Sequence, residues 1–254
     1  MSKHLKRLNS SKVLRLNRKN NKWTIKPSPG PHKISKSISL GLIIRDYLKL
    51  CDSLKEAKRI LSEKEIFVDN KIRTNYKFPC GFMDVITIPK MNKYYRILFD
   101  KSGKLTLTPI NSSEIQWKLY RIEGKTIIKG KKTQLNLHDG KNIIVEKDEY
   151  RRGDVLKIEF KDNKIIESYA LTKGNSSMII GGNHIGEIAN INDLMIISSS
   201  KSNIAKMKGK NEFLTIQEYV FPIGKSKPII STPEVKVIWL KTINQIKNIL
   251  QIQK

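Results

Sequence analysis

The sequence predicts an α+β, multidomain fold built from several small units. Three observations predict it: a basic N-terminal stretch, a stretch with apolar residues at helical spacing, and a long series of short apolar runs between turn residues. With 254 residues, of which 39% are hydrophobic, the chain is long enough for two or three such units.

The N-terminal arm is the first of these units. Residues 1–45 contain twelve Lys or Arg and no Asp or Glu, and their apolar residues follow no sustained period. We therefore expect an arm that is extended or only locally ordered in the free protein. Its segment KPSPGPHK, Lys26 to Lys33, has three prolines, which fix φ and lack N–H donors. This segment is predicted to stay extended and to join neither a sheet nor a helix, either as a stiff basic strand or as a plain linker.

Two helices and a small sheet are predicted next, from Ser39 to about Pro89. The first helix lies in SISLGLIIRDYLKL and places on one face Leu40, Ile43, Ile44, Tyr47 and Leu48. The second lies in SLKEAKRILSEKE, is capped by Asp52 or Ser53, and turns inward Leu54, Ala57, Ile60 and Leu61. A hairpin, IFVDNKIR, is expected around Asp69 and Asn70, followed by a strand from Asp84 to Lys90.

The rest of the chain reads as β structure. Runs such as YYRILFD, KLTLTPI, KNIIVE and VLKIEF are short and recur every 8 to 15 residues, which predicts a barrel or sandwich. A last β segment, Ser177 to Ile191, contains glycines in GGNHIG. A C-terminal helix is predicted from the spacing of its apolar residues Trp239, Ile243, Ile246 and Leu250.

The formal charge of +26 favours a polyanionic partner, nucleic acid before an anionic membrane. No apolar run is long enough to span a bilayer, and no secretory signal is visible. Cys51 and Cys80 are expected to be reduced thiols.

Catalytic motifs are weak. GxSxG is absent, IGKS at 223–226 lacks the first glycine of a P-loop, and the four histidines form no metal-binding pair. We therefore predict no catalytic residue, no metal, no cofactor and no small-molecule substrate.

Basic side chains on the polar sides of the helices and hairpin are the candidate binding residues. If the apolar faces pack together, these cations form one surface that follows a phosphate backbone, although solvated helix faces are the alternative. Trp23 and His32 offer flat rings for stacking on unpaired bases, whereas Trp23 could also anchor the arm on the protein. The predicted RNA-binding residues are Lys3, Lys6, Arg7, Lys12, Arg15, Arg18, Lys19, Lys22, Trp23, Lys26, His32, Lys33, Lys36, Arg45, Lys55, Lys58, Arg59, Lys71, Arg73 and Lys77.

Several segments together resemble the ribosomal protein S4e family of archaea and eukaryotes. They are KHLKRL, NKWTIKPSPGPH, IRDYLKL, EAKRIL, YKFPCGFMDVITIPK, NLHDGKN, GGNHIG and EYVFPIGKSKPIIS, in order from Lys3 to about Ser231. The resemblance implies a structural component of the small ribosomal subunit in the cytoplasm. Its implied partners are small-subunit rRNA and neighbouring small-subunit ribosomal proteins, with no membrane. A pseudouridine-synthase-like RNA-modifying enzyme and a KOW-bearing transcription factor are the alternatives.

The resemblance also implies a layout. The expected units are a basic N-terminal arm (1–38), an alpha-L (S4-type) RNA-binding domain (39–95), a central β domain (96–171), a KOW-type SH3-like β-barrel (172–216) and a C-terminal tail with an amphipathic helix (217–254). The chain departs from the family pattern where glycines are expected, at Lys64, Asn70 and Ala189, and where an arginine is expected, at Asn183. Lysine at the end of a helix in a left-handed conformation costs about 1 kcal/mol or shifts the helix end. The last two departures leave open whether the barrel touches RNA.

Overall fold

Three five-stranded antiparallel sheets dominate the computed structural model, which describes residues 4–130, 132–146, 149–209 and 211–232. Two helical segments and two small two-stranded sheets accompany them. The described part is therefore mostly β with few helices, within the α+β class that the sequence predicts. Lys3 and the predicted C-terminal helix lie outside the described residues.

The N-terminal arm folds back on the body, so the expectation of an arm that is extended or only locally ordered is wrong. Strand β1 (Leu5–Lys6) pairs with β2 (Trp23–Thr24), and Leu14 and Ile25 are buried in the main hydrophobic core. The backbone N–H of Leu105 donates to the carbonyl of Val13 at 2.9 Å. Apolar side chains without a regular period can still fill irregular gaps between other elements, and this is how the arm is held.

The proline segment follows the prediction, because no residue from Lys26 to Lys33 lies in a helix or strand. It is nevertheless held in place. Pro27 is buried, and the N–H of Ser28 donates to the carbonyl of Lys77 at 2.9 Å.

The two helices form as predicted, with irregular ends. Helix α1 (Leu40–Leu42) follows β3 (Ser37–Ser39) and continues as a π-helical turn, Ile43–Tyr47. Helix α2 spans Leu54–Ser62. Ser53 caps α2: its hydroxyl accepts from the N–H of Glu56 at 3.2 Å, and the Glu56 carboxylate accepts from the N–H of Asp52 at 3.1 Å. The Ser53 hydroxyl also donates to the Glu56 carboxylate at 2.7 Å, so this variant of the capping box, with Asp52 as the backbone donor, fixes the start of the helix.

The first five-stranded sheet has the order β5-β4-β7-β8-β9. Its strands are β4 (Phe67–Val68), β5 (Lys71–Ile72), β7 (Val85–Ile88), β8 (Lys93–Phe99) and β9 (Leu105–Pro109). Strand β6 (Pro79–Gly81) pairs instead with β3. Asp69 and Asn70 have φ of 50° and 59°, so the predicted tight turn is confirmed. The boundary expected after residue 95 falls inside β8.

The central sheet, of order β12-β11-β10-β13-β14, is organised around one long strand. Its strands are β10 (Trp117–Ile127), β11 (Thr133–Leu137), β12 (Asn142–Val145), β13 (Val155–Glu159) and β14 (Ile165–Tyr169). The first half of β10 pairs with β13 and the second half with β11. A small hydrophobic core, separate from the main core, is formed by residues of β10, β11 and β13. They are Tyr120, Ile122, Leu135, Leu137, Leu156 and Ile158.

The C-terminal sheet has the order β18-β17-β16-β15-β19. Its strands are β15 (Ser176–Ile179), β16 (Ile188–Met195), β17 (Ile204–Lys208), β18 (Glu212–Ile216) and β19 (Val220–Gly224). Strand β19 lies beyond residue 216, where the sequence placed the end of this unit, yet it pairs with β15. Single 3-10 turns complete the described structure, at Ile34–Lys36, Pro89–Met91, Ser112–Glu114 and Gln217–Tyr219.

Lys64, which stands where the family pattern has glycine, adopts the left-handed conformation with φ of 59°. A side chain with a Cβ is strained there, whereas glycine is not. We expect Lys64→Gly to raise the free energy of unfolding by about 1 kcal/mol. The matched control is Glu63→Gly. Glu63 has φ of −71°, so glycine there relieves no strain and only increases the conformational entropy that the chain loses on folding. Urea unfolding of both variants checks this, and equal effects of the two changes would contradict it.

Candidate nucleic-acid interface

The polar side of α2 presents exposed cations, as predicted. Lys55, Lys58 and Arg59 are exposed, whereas Ala57 and Leu61 are buried on the opposite side. The period of 3.6 residues per turn separates the two sets. Arg59 has only a long contact with Glu63, 3.9 Å between Nε and Oε1, so its guanidinium is available to another anion.

Cations from the helix and the hairpin meet at the segment Tyr76–Phe78. The ammonium group of Lys58 lies 4.7 Å from the ring centre of Tyr76, and that of Lys77 lies 5.5 Å from it. The guanidinium of Arg73 lies 4.4 Å from the ring centre of Phe78. We call the surface formed around this segment the basic face; its members are Lys55, Lys58, Arg59, Lys71, Arg73 and Lys77. Arg45 is not counted, because it is half-buried and bonded to Asp46 at 2.6 Å.

Three arginines of the arm stabilise the fold. Arg7 is only 4% exposed, and its guanidinium donates to the carbonyl of Asn17 at 2.8 Å and to Asp46 at 3.2 Å. Arg18 donates to several carbonyls of the loop around Ser10, and Arg15 is bonded to Asp100. The five donors of a guanidinium suit the irregular backbone of this loop. The prediction that Arg7 contacts RNA does not fit its burial.

The lysines of the arm remain outside. Those with exposed side chains are Lys6, Lys12, Lys19, Lys22, Lys33 and Lys36, while Lys26 is half-buried. Trp23 is 48% exposed, and the ammonium group of Lys22 lies 5.3 Å from its ring centre. Trp23 is therefore still accessible to a base.

The ring of His32 is buried, so its predicted role as a stacking ring does not fit the structure. Its side chain is 7% exposed, and Nε2 lies 2.9 Å from Oδ1 of Asp84. The ring packs directly over Gly81, where an added Cβ would overlap it. The glycine thus lets the end of the arm dock on β6.

A buried ionic network, which the sequence did not reveal, joins the arm, the helix–hairpin unit and the central sheet. At its centre is Lys118 on β10, fully buried, with its ammonium group 2.5 Å from Asp84, 2.8 Å from Asp69 and 3.6 Å from Asp139. His32 contacts the same carboxylate of Asp84. The sequence contained one signal of this network, a lysine within the apolar run WKLYRI. A lysine on a buried strand implies an ionic partner, because lysine is almost never fully buried without one.

The pKa values in this network follow from burial and pairing. Burial alone would lower the pKa of Lys118, but Asp69 and Asp84 raise it well above its usual value. Burial likewise opposes ionisation of Asp84, yet His32 and Lys118 hold the pKa of its carboxyl well below the usual range. Lys118 and Asp84 are therefore both charged at neutral pH, whereas burial raises the pKa of Asp69 to about 6, even though Lys118 acts to lower it.

The two ends of the glycine turn GGNHIG pack against protein, whereas Gly182 and Asn183 in its middle are exposed. A Cβ on Gly186 would overlap the carbonyl oxygen of Asp100, and one on Gly181 would lie 2.6 Å from the ring of Tyr219. His184 stacks on Phe213 with ring centres 4.0 Å apart. Gly181, His184 and Gly186 are thus occupied by contacts within the chain.

Within the described ranges, no group of three or more His, Cys, Asp or Glu residues is arranged to hold a metal ion. Cys51 and Cys80 are both buried free thiols. No helix in the same part of the chain is long and apolar enough to cross a membrane.

An exposed basic face on a helix–hairpin unit, held against two further sheets by buried contacts, is typical of a multidomain nucleic-acid-binding protein. Comparison with known proteins gives the family. Residues 91–165 match the model of ribosomal family S4e, residues 1–35 the RS4NT domain and residues 46–86 the S4 domain. The chain belongs to the S4e family of ribosomal proteins.

Individual relatives support this over most of the chain. It is 46% identical over 234 residues to small ribosomal subunit protein eS4 of Methanothermobacter thermautotrophicus, covering 91% of this chain and 96% of the relative. The protein of the same name from Archaeoglobus fulgidus is 42% identical, with 89% of this chain and 97% of the relative covered. The crystal structure of 30S ribosomal protein S4e from Thermoplasma acidophilum superposes with a TM-score of 0.66 at 36% identity, covering 76% of this chain and 97% of that one.

Proposed function

We propose that this chain is a structural component of the small ribosomal subunit, in the cytoplasm, where it binds and stabilises small-subunit rRNA beside neighbouring ribosomal proteins. The single observation on which this rests is membership of the S4e family over about nine tenths of the chain. The basic face and the exposed lysines of the arm are the binding surfaces. The mechanism is neutralisation of phosphates, which releases counterions from the RNA.

The units divide this work. The helix–hairpin unit acts as the alpha-L RNA-binding module, because Lys55, Lys58, Arg59 and Lys71 are exposed while Ala57 and Leu61 are buried. We assign the C-terminal sheet as the KOW-type barrel. This sheet and the central sheet serve mainly as scaffold. The packing of Gly181 and Gly186 against other parts of the chain supports that role for the barrel. The RNA-modifying enzyme and the transcription factor are less favoured, since the curated relatives are small-subunit proteins.

Removal of the helix cations tests the proposal. We expect the variant with Lys55→Ala, Lys58→Ala and Arg59→Ala to bind small-subunit rRNA about 100-fold more weakly, on roughly 1 kcal/mol for each cation–phosphate pair that is removed. Filter binding at fixed salt measures this, together with co-sedimentation with small subunits.

The control removes the same charge elsewhere, with Lys129→Ala, Lys201→Ala and Lys208→Ala, three exposed lysines of the central and C-terminal units. If both triple variants weaken binding equally, total charge and not the basic face determines affinity.

A further inference from the structure

A cleft lies between the β4–β5 hairpin and the central sheet. Its volume is about 250 Å³. The hairpin side supplies Lys71, Arg73 and Phe78; the other side supplies Lys141, from the turn after β11, and Asn163, from the turn after β13. The cleft therefore adjoins the basic face but is closed by residues that the sequence did not single out.

Two cations on the hairpin side lack an anionic partner. Lys71 and Arg73 form no ion pair with any residue in the described part of the chain. The Nε of Arg73 is buried and has no hydrogen-bond acceptor there, while its guanidinium carbon lies over the ring of Phe78, 4.4 Å from the ring centre. A guanidinium held on an aromatic ring presents its other face and its edge to a ligand.

The opposite wall supplies a third cation. Lys141 donates to the side-chain oxygen of Asn163, and its ammonium group lies 5.2 Å from the ring centre of Tyr120. Burial is the largest cause that lowers the pKa of Lys141; Asp139 raises this pKa, and the positive charges of Lys118 and Lys71 lower it. Like charges across a cleft repel each other, and an anion between them removes that repulsion.

The cleft also contains carboxylates, which raise the pKa of Lys141 but form their ion pairs with Lys118. Asp69 and Asp139 line the cleft, but both face the ammonium group of Lys118, at 2.8 Å and 3.6 Å. The rim of the cleft is therefore positive while its floor is neutralised. Flat groups and unpaired cations together are the features that bind unstacked nucleotides.

We propose that this cleft binds one unpaired nucleotide of the rRNA, with its phosphate between Lys71 and Lys141 and its base on the guanidinium of Arg73. The central sheet then belongs to the RNA interface through Lys141. This inference rests on the proposed function. It adds that the wall containing Lys141 recognises an unpaired nucleotide of the RNA.

Two variants of the full chain test it in filter binding to small-subunit rRNA. Lys141→Ala is expected to bind about tenfold more weakly and to lower the slope of log K against log salt by about 0.7–0.9, as for one phosphate that is no longer neutralised. Arg73→Lys keeps the charge, so we expect a similar loss of affinity with the slope unchanged, because a lysine cannot stack in the same way. Lys129→Ala, an exposed lysine at the far end of the same sheet, is the matched control.

Chemical probing of the rRNA provides a second readout. One unpaired base protected by the parent protein should become reactive in the complex with Arg73→Lys, while the rest of the footprint stays. If Lys141→Ala and Arg73→Lys both bind within twofold of the parent and leave the footprint unchanged, the cleft is not a nucleotide site. If the helix triple variant still weakens binding in that case, only this inference fails; if the parent itself does not bind rRNA, the proposed function fails.

Discussion

Lys118→Met is expected to lower the free energy of unfolding by about 3–5 kcal/mol, the usual cost of removing one partner of a buried ion pair. Lys118 is fully buried and is the common partner of Asp69 and Asp84. Methionine fills a similar volume but leaves both carboxylates without their cation. Urea unfolding followed by fluorescence, with buried Trp117 on the same strand as reporter, measures the change.

A double-mutant cycle separates this effect from a packing defect. When Asp84→Asn is added, we expect the double variant to be less destabilised than the sum of the two single changes by about 1–3 kcal/mol, since the unpaired charge is gone. Lys161→Met, at an exposed lysine, should change the stability by less than about 0.5 kcal/mol. Strict additivity of Lys118→Met and Asp84→Asn would show that the two side chains are not energetically coupled.

The second large effect concerns salt. Raising monovalent salt from about 50 to 200 mM is expected to weaken binding to small-subunit rRNA by ~10³–10⁵, if about six to ten phosphates are neutralised. The net charge of +26 and the exposed lysines of the arm and α2 are the source of this dependence. Filter binding at four or more salt concentrations gives the slope.

The slope also reports how many phosphates each group of side chains neutralises. The variant with Lys55, Lys58 and Arg59 replaced by alanine should have a slope smaller by about 2–3, at roughly 0.7–0.9 for each phosphate. Arg7→Lys, by contrast, should leave the slope unchanged, because the guanidinium of Arg7 is buried and bonded to Asn17 and Asp46. An affinity that changes by less than tenfold over the salt range would contradict phosphate neutralisation as the main source of binding.

The local elements were predictable because their signals lie within a few residues of each other. The capping of α2 by Ser53, the tight turn at Asp69 and Asn70, and the inward and outward sides of α2 all follow from local spacing and backbone preference. The strands of the β-rich region likewise lie where short apolar runs stand between turn residues. The same locality explains the prediction of the helix cations.

The errors concern the arm. Its high charge and irregular apolar pattern predicted an extended chain, yet Leu14 and Ile25 are buried and Arg7 is bonded to Asp46, which lies 39 residues away. Whether an arginine faces solvent or its own backbone depends on which carbonyls the fold brings near it, and composition contains no such information. For the same reason, the sequence predicted an exposed ring at His32, whereas the fold buries it.

By itself, the sequence determined the class of fold, the basic character of the protein, the family it resembles and the cations of α2. Only the tertiary structure decided which of the arm's cations are free, that Lys118, Asp84 and His32 join three units in one network, and that Arg73 and Lys141 face one cleft. The physical reason is range. Helical period and turn preference act between neighbours in the chain, whereas ion pairing and burial act between groups that only folding brings within a few ångströms.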